Sequence, residues 1–123
     1  MNRKTIGNIG EEHAAKYLIS KGYKILASNF RAGKMGEIDI IARDTEYISF
    51  IEVKTRTGKG FGLPCEAVDR KKQGNIIRLA HIYLKQNKIC NTNIRFDIVE
   101  IFLCKQGTEL ELESINHIKN AFY

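Results

Sequence analysis

EIDIIAR (residues 37–43) and YISFIEVKTR (residues 47–56) are the stretches that decide the fold. IDIIA and YISFIEV are almost continuously apolar and rich in β-branched residues, which is the composition of strands buried on both faces. Only Asp44, Thr45 and Glu46 separate the two runs, a spacing that suits a tight hairpin. YKILASNFR (residues 23–31) precedes them, short, β-rich and bounded by glycines. The three runs together predict an antiparallel meander.

Ahead of the meander, Ile6, Ile9, His13, Ala14, Tyr17 and Leu18 recur at helical spacing. This predicts a helix over about 6–21, capped by Thr5 and closed by Gly22 in the left-handed conformation. Behind the meander, TGKGFGLP (residues 57–64) has glycines at 58, 60 and 62 and reads as a mobile loop. A second helix follows over about 69–86, with Ile76, Ile77, Leu79, Ala80, Tyr83 and Leu84 on one face. RFDIVEIFL (residues 95–103) is a fourth strand, and residues 105–108 turn it into ELELESI (residues 109–115). The order αβββαβ implies an α/β fold, a mixed sheet flanked by helices, in which the fourth strand adds in parallel through a helical crossover. A chain of 123 residues has room for one core, so residues 1–123 are expected to form a single domain.

Twenty Lys and Arg against fourteen Asp and Glu leave a net charge of +6. That excess favours a polyanionic partner, although an inert solvated basic surface fits it equally well. Cys65, Cys90 and Cys104 are odd in number and form no CxxC pair, so they are expected to be reduced, partly buried thiols. The absence of any apolar run of signal-peptide or membrane-span length points to a cytoplasmic protein with no membrane partner.

Charge interrupts the two most apolar strands. Glu52 and Lys54 are two apart and share one strand face, while Ile51 and Val53 take the other. A hairpin with the preceding run brings Asp39 beside Glu52. Two acids repel each other unless a cation joins them, and oxygen ligands in this arrangement suit Mg²⁺, or Mn²⁺, with waters and substrate phosphate completing the shell. The carbonyl of Val53, between Glu52 and Lys54, is the expected third protein ligand. Lys54 would hold or deprotonate the attacking water, or neutralise charge developing at phosphorus. The plain alternative is an exposed cross-strand charge pattern, but an unpaired acid inside a two-sided-buried strand is costly and so signals a site.

Helical phase extends the constellation. In the first helix the buried face centres near Gly10 and Tyr17, which puts Glu12 almost opposite and Glu11 at the edge, able to lean toward Asp39. Gly7, Gly10 and Ala14 are small enough to let this helix approach the sheet closely. In the second helix Lys72 and Gln73 fall on the apolar side, with Arg70 and Lys71 outside its centre. Lys72 and Gln73 could reach a substrate phosphate or the site's water; equally, Lys72 could snorkel past the core and Gln73 cap backbone groups. Arg95 and Asp97 are read as a structural ion pair or sheet-edge hydrogen bonds. His13, His81 and His117 share no metal-ligand or triad spacing, and no Ser or Cys lies in a nucleophile elbow.

GEID (residues 36–39) followed by IEVK (residues 51–54) resembles the PD-(D/E)XK nuclease superfamily. More narrowly, GEEHA (10–14), FIEVKTR (50–56), KQ (72–73), RFDIV (95–99) and IKNAF (118–122) match, in order, the small YraN-like bacterial family. The chain departs from the superfamily pattern in having Ile38, not proline, before Asp39. The resemblance implies a restriction-endonuclease-like core similar to that of archaeal Holliday-junction resolvases, with Glu11, Asp39, Glu52 and Lys54 at the active-site positions. A metal-dependent endonuclease acting on DNA, at branched or damaged structures in recombination or repair, is the function this implies. A non-catalytic nucleic-acid-binding module with a vestigial site is the alternative, and a scaffold that binds only protein a third. Nucleic-acid contacts are expected from Arg56, Lys59, Arg70, Lys71 and Lys72, which cluster after the strand carrying Glu52 and Lys54. A homodimer would let two such sites cut opposing strands.

Overall fold

The computed structural model describes residues 3–58 and 68–123. In chain order the elements are α1 (Arg3–Ser20), β1 (Lys24–Arg31), β2 (Glu37–Arg43), β3 (Tyr47–Thr57), α2 (Arg70–Gln86), β4 (Asn93–Gln106) and β5 (Glu109–Phe122). They build one five-stranded sheet in the order β1-β2-β3-β4-β5. The β1–β2, β2–β3 and β4–β5 pairs are antiparallel and β3–β4 is parallel. The crossover through α2 is therefore as the element order predicts, and the mixed α/β sheet is consistent with a restriction-endonuclease-like core. Among the described residues, no helix is long and apolar enough to cross a membrane.

The apolar runs in β2 and β3 are continuous because both sheet faces are covered. On one face Ile41, Ile48, Phe50, Phe96 and Ile98 pack with Ile76, Leu79, Ala80 and Tyr83 of α2. On the other, Ile40, Ala42, Ile51, Val99, Ile101 and Leu103 pack with Ala14 and Leu18 of α1. Fully burying each of the Ile, Leu, Val and Phe side chains stabilises the fold by roughly 1.5–3 kcal/mol, enough in sum for the same strands to carry a few costly charges. Gly10 allows α1 its close approach: a Cβ there would overlap the Thr55 hydroxyl and lie 2.9 Å from Thr55 Cβ and Cγ2. Gly7, by contrast, faces open space, so close packing gives no reason for it.

The hairpin between β2 and β3 is closed by Asp44, whose Oδ1 accepts the Glu46 and Tyr47 amides at 2.9 and 2.7 Å. Gly22 takes φ 93°, and the Gly22 and Tyr23 amides bond back to the Ile19 and Leu18 carbonyls, closing α1 as expected.

Three expectations need correcting. The first helix begins at Arg3, so Thr5 lies inside its first turn rather than capping it. Cys90 is exposed, because it falls after α2 has ended, and only Cys104 is partly buried; Cys65 lies outside the described residues. β5 runs on to Phe122, well past residue 115, because pairing with β4, with Phe122 opposite Phe96, holds a segment whose own polarity pattern is irregular. The expected loop over 57–64 lies mostly outside the described residues, as does Lys59.

Candidate active site

The site forms where β2 and β3 part. Their antiparallel register runs from Arg43 opposite Ile48 to Ile40 opposite Ile51. Continued, it would place Val53 opposite Ile38 and give the Val53 amide to the Ile38 carbonyl. The Val53 amide instead donates to Asp39 Oδ2 at 2.8 Å. β2 also turns over at this point: Ile38 and Ile40, two apart and so on one face of a regular strand, pack in different cores. In β1 the register skips Asn29, which would stand opposite Asp39 and which has φ 52°. The sheet thus opens at Asp39 and aims a carboxylate into the gap.

Glu52 faces the same gap and is 4% exposed. Its Oε1 lies 2.6 Å from Lys72 Nζ and 3.6 Å from Lys54 Nζ, so a residue from the first turn of α2 and one from β3 share a single carboxylate oxygen. Its Oε2 is buried and, among the described residues, has no hydrogen-bond partner. Such an orphan costs about 1–3 kcal/mol, and a charged one more.

The electrostatics follow from this crowding. Burial, then the charge of Glu52, pushes the Asp39 carboxyl up to about 8, against the pull of its Val53 hydrogen bond; Glu11 pushes it further up and Lys72 draws it down. Burial and then the neighbouring Lys72 charge lower Lys54 below the ordinary lysine range. Burial works against the Lys72 ammonium too, but its hydrogen bond to Glu52 and the Glu52 charge outweigh that and raise it.

Among the described residues, no three His, Cys, Asp or Glu side chains come together in a way that could hold a metal ion. The available donor set is therefore the Asp39 and Glu52 carboxylates and the Val53 carbonyl, which in an extended strand points to the same side as the Val53 amide, toward Asp39. One or two carboxylates with a carbonyl and several waters is the set that Mg²⁺ or Mn²⁺ takes. The unpartnered Glu52 Oε2 is the position that such an ion would fill.

The other predicted residues are placed as follows. Glu11 is partly buried and Glu12 exposed, in the phase expected; the Glu11 charge is felt at Asp39, while its Oε1 accepts the Asn29 side-chain amide at 3.0 Å. Gln73 turns its amide to the Val68 carbonyl at 2.8 Å, the backbone-capping alternative, and is not brought to the acids. Arg70 and Lys71 are exposed in the first turn of α2, behind the N-cap Asp69. Arg56 lies beyond Lys54 on β3, its Nε 3.3 Å from Glu100 Oε2.

Two residues that the sequence reading did not single out shape this end of the sheet. Asn29 ties Glu11 and Glu37 together through its amide, at 3.0 and 3.2 Å. Glu100 is 2% exposed within the apolar run IVEIF. The rule that picked out Asp39 and Glu52, a charge inside a core-like strand, applies equally to Glu100.

Arg95 and Asp97 are held in a separate network at the other end of the sheet, and form the fixed ion pair expected of them. Arg95 Nε donates to both Asp97 oxygens at 2.9 and 3.1 Å, and Nη2 to the Tyr23 hydroxyl at 2.6 Å. Asp97 also meets His117 Nε2 at 2.7 Å and accepts the Asn120 amide at 3.1 Å. Although burial pushes the Asp97 carboxyl up, these bonds outweigh it and hold it below the usual carboxylate range.

Residues 10–101 match the model of the uncharacterised protein family UPF0102. A UPF0102 protein of Acetivibrio thermocellus is 49% identical over 121 residues, spanning 98% of this chain and 93% of that one. One from Caldanaerobacter subterraneus subsp. tengcongensis is 50% identical over 122 residues, spanning 99% and 98%. A third, from Clostridioides difficile, is 48% identical over 122 residues and is spanned in full. With a family match over most of its length and relatives near half identity end to end, this chain belongs to the UPF0102 family.

Proposed function

We propose that this protein is a Mg²⁺- or Mn²⁺-dependent endonuclease that cleaves DNA phosphodiester bonds, at branched or damaged structures of the kind met in recombination and repair. The observation that carries the reading is the buried Oε2 of Glu52, unpartnered among the described residues, in a gap shared with Asp39 and Lys54. A strand this apolar has no structural use for a carboxylate oxygen left without a partner, whereas a divalent ion supplies one.

Asp39, Glu52 and the Val53 carbonyl would hold the ion, which when bound supplies Lewis-acid polarisation of a phosphate oxygen and a more acidic water. Lys54, depressed by burial and by Lys72, is suited to give and take a proton at its Nζ or to place its charge on the reacting phosphate. Lys72 holds Glu52 Oε1 and so fixes the rotamer that aims Oε2 into the gap. Arg70, Lys71 and Lys72 sit together in the first turn of α2, which contains no acid. Lys72 is already paired with Glu52, but Arg70 and Lys71 are exposed cations at the positive end of the helix dipole, and a polyanion laid against them would offset their repulsion. Arg56 on β3 adds a further partly exposed cation, and Lys59, outside the described residues, is proposed to join it in holding the polyanion. A homodimer would pair two such sites for cuts in opposing strands.

A second reading has one observation in its favour. The 2.6 Å pair between Lys72 and Glu52 already neutralises one acid internally, as a metal-free DNA-binding module would require. Purified protein tested on duplex, single-stranded and four-way-junction DNA, with and without Mg²⁺ or Mn²⁺, separates the two. Divalent-dependent cleavage supports the enzyme, and salt-sensitive binding without cleavage supports the module.

A further inference from the structure

Glu100 is almost completely buried, at 2% exposure, and stands opposite Lys54 in the parallel β3–β4 ladder. Paired residues of a parallel ladder share a sheet face, so Glu100, Lys54, Glu52 and Arg56 all lie on the side covered by α2. The residues before Glu100 on that face, Phe96 and Ile98, belong to the apolar core. An apolar residue at position 100 would continue that core without the desolvation penalty of a carboxylate.

What the carboxylate supplies is a hold on Arg56. What is seen of that hold is a contact of 3.3 Å between Glu100 Oε2 and Arg56 Nε. A guanidinium held at Nε can offer its outer edge, Nη1 and Nη2, to a bidentate contact, and the Arg56 side chain is 24% exposed. Arg56 is two residues beyond Lys54 on the same face, roughly 7 Å further along the strand. That spacing is comparable with the distance between neighbouring phosphates of one nucleic-acid strand.

We propose that Glu100 is a positioning residue that sets Arg56 as a clamp on the phosphate next to the scissile one, so that the substrate must be a polynucleotide with a phosphate flanking the cut. The proposal rests on the nuclease reading above for the place of the scissile phosphate. Without Glu100 the long Arg56 side chain loses its fixed rotamer, and each contact must then be made at the cost of ordering it.

The test is a double-mutant cycle on DNA affinity, using the full chain and a fluorescent duplex over a salt series, with Glu100→Gln, Arg56→Ala and the double variant. Circular dichroism melts identify any variant that fails to fold, and Arg56→Lys replaces Arg56→Ala if that one does. Glu100→Gln adds one unit of positive charge, so a merely electrostatic role would tighten binding. The clamp requires the reverse: affinity falls several-fold, the slope of log affinity against log salt drops by about one, and the effect of Glu100→Gln disappears once Arg56 is absent. Binding by Glu100→Gln that equals or exceeds wild type, or a loss that persists undiminished in the Arg56→Ala background, overturns the proposal, as does a wild type without DNA affinity. Cleavage is scored separately: an intact cycle without divalent-dependent cleavage removes the nuclease reading and leaves the phosphate contact standing.

Discussion

Asp39 Oδ2 accepts the Val53 amide at 2.8 Å, and so replaces with a side chain the ladder hydrogen bond that β2 would otherwise supply. The substitution keeps the Val53 backbone satisfied while the strands part, and it places the Asp39 carboxylate against Glu52 with little solvent to separate the two charges. The pH behaviour of the protein should follow from this bond.

In the unfolded chain Asp39 ionises in the ordinary carboxylate range, near 4, whereas in the folded protein burial and Glu52 delay ionisation to about 8. Between those limits the folded state holds a proton that the unfolded state lacks, so stability is fully present at the acid end and is lost as pH rises through 8. The melting temperature of metal-free protein should therefore fall from pH 5 to pH 8. Asp39→Asn, which keeps an acceptor for the Val53 amide, should flatten that profile, and so should Mg²⁺. A wild-type melting temperature that rises over this range without metal would count against the raised carboxyl.

The metal ligands and the lysine should separate by readout. Asp39→Ala or Glu52→Ala should abolish both metal binding and cleavage and leave DNA binding equal or tighter, the gain for Asp39→Ala appearing only as pH rises through about 8, where its carboxyl ionises and repels phosphate. Lys54→Ala should spare the metal and slow cleavage by on the order of a hundredfold, the loss typical of one preorganised charge at a transition state. Calorimetric metal titration beside a cleavage assay checks all three, and cleavage that survives loss of Asp39 would remove the site.

Lys72→Ala leaves a nearly buried carboxylate with, among the described residues, only the longer 3.6 Å contact to Lys54. Stability without metal should drop by about 1–3 kcal/mol. Because a bound divalent ion would take over the neutralisation, the deficit should shrink in excess Mg²⁺. Denaturant melts with and without the ion measure the difference, and an equal deficit in both would mean that Lys72 and metal do not act on the same carboxylate.

Affinity for DNA should fall steeply with salt, since phosphate contacts release counterions. Lys59→Ala combined with Lys71→Ala should weaken binding to every sequence alike and lower the salt slope by about two. An unchanged slope in the pair would move the binding surface elsewhere.

Two glycines of α1 should respond in opposite ways to alanine. Gly10→Ala drives a methyl into Thr55 and should cost about 1–3 kcal/mol. Gly7→Ala, with nothing within 4 Å of the added carbon, should stabilise by up to about 1 kcal/mol. Thermal melts of both variants decide it, and a neutral Gly10→Ala would show that α1 can lift from β3 at little cost.

The sequence by itself determined the strands and their charges. EIDIIAR runs over Glu37–Arg43 as predicted, because a strand buried on both faces needs an unbroken apolar run, and that run is visible without neighbours. Gly22 and the Asp44 turn were equally legible, since both depend on contacts within a few residues. The phase of α1, with Glu11 inward of Glu12, followed from helical geometry alone. Only the tertiary structure decided the rest. The opening of the sheet at Asp39, the meeting of Lys72 with Glu52, the hold of Glu100 on Arg56 and the extension of β5 to Phe122 all join residues from different elements. No periodicity records such contacts, because which oxygen a lysine reaches, or how far an edge strand stays paired, is set by the packed distance between elements rather than by the order of residues within one.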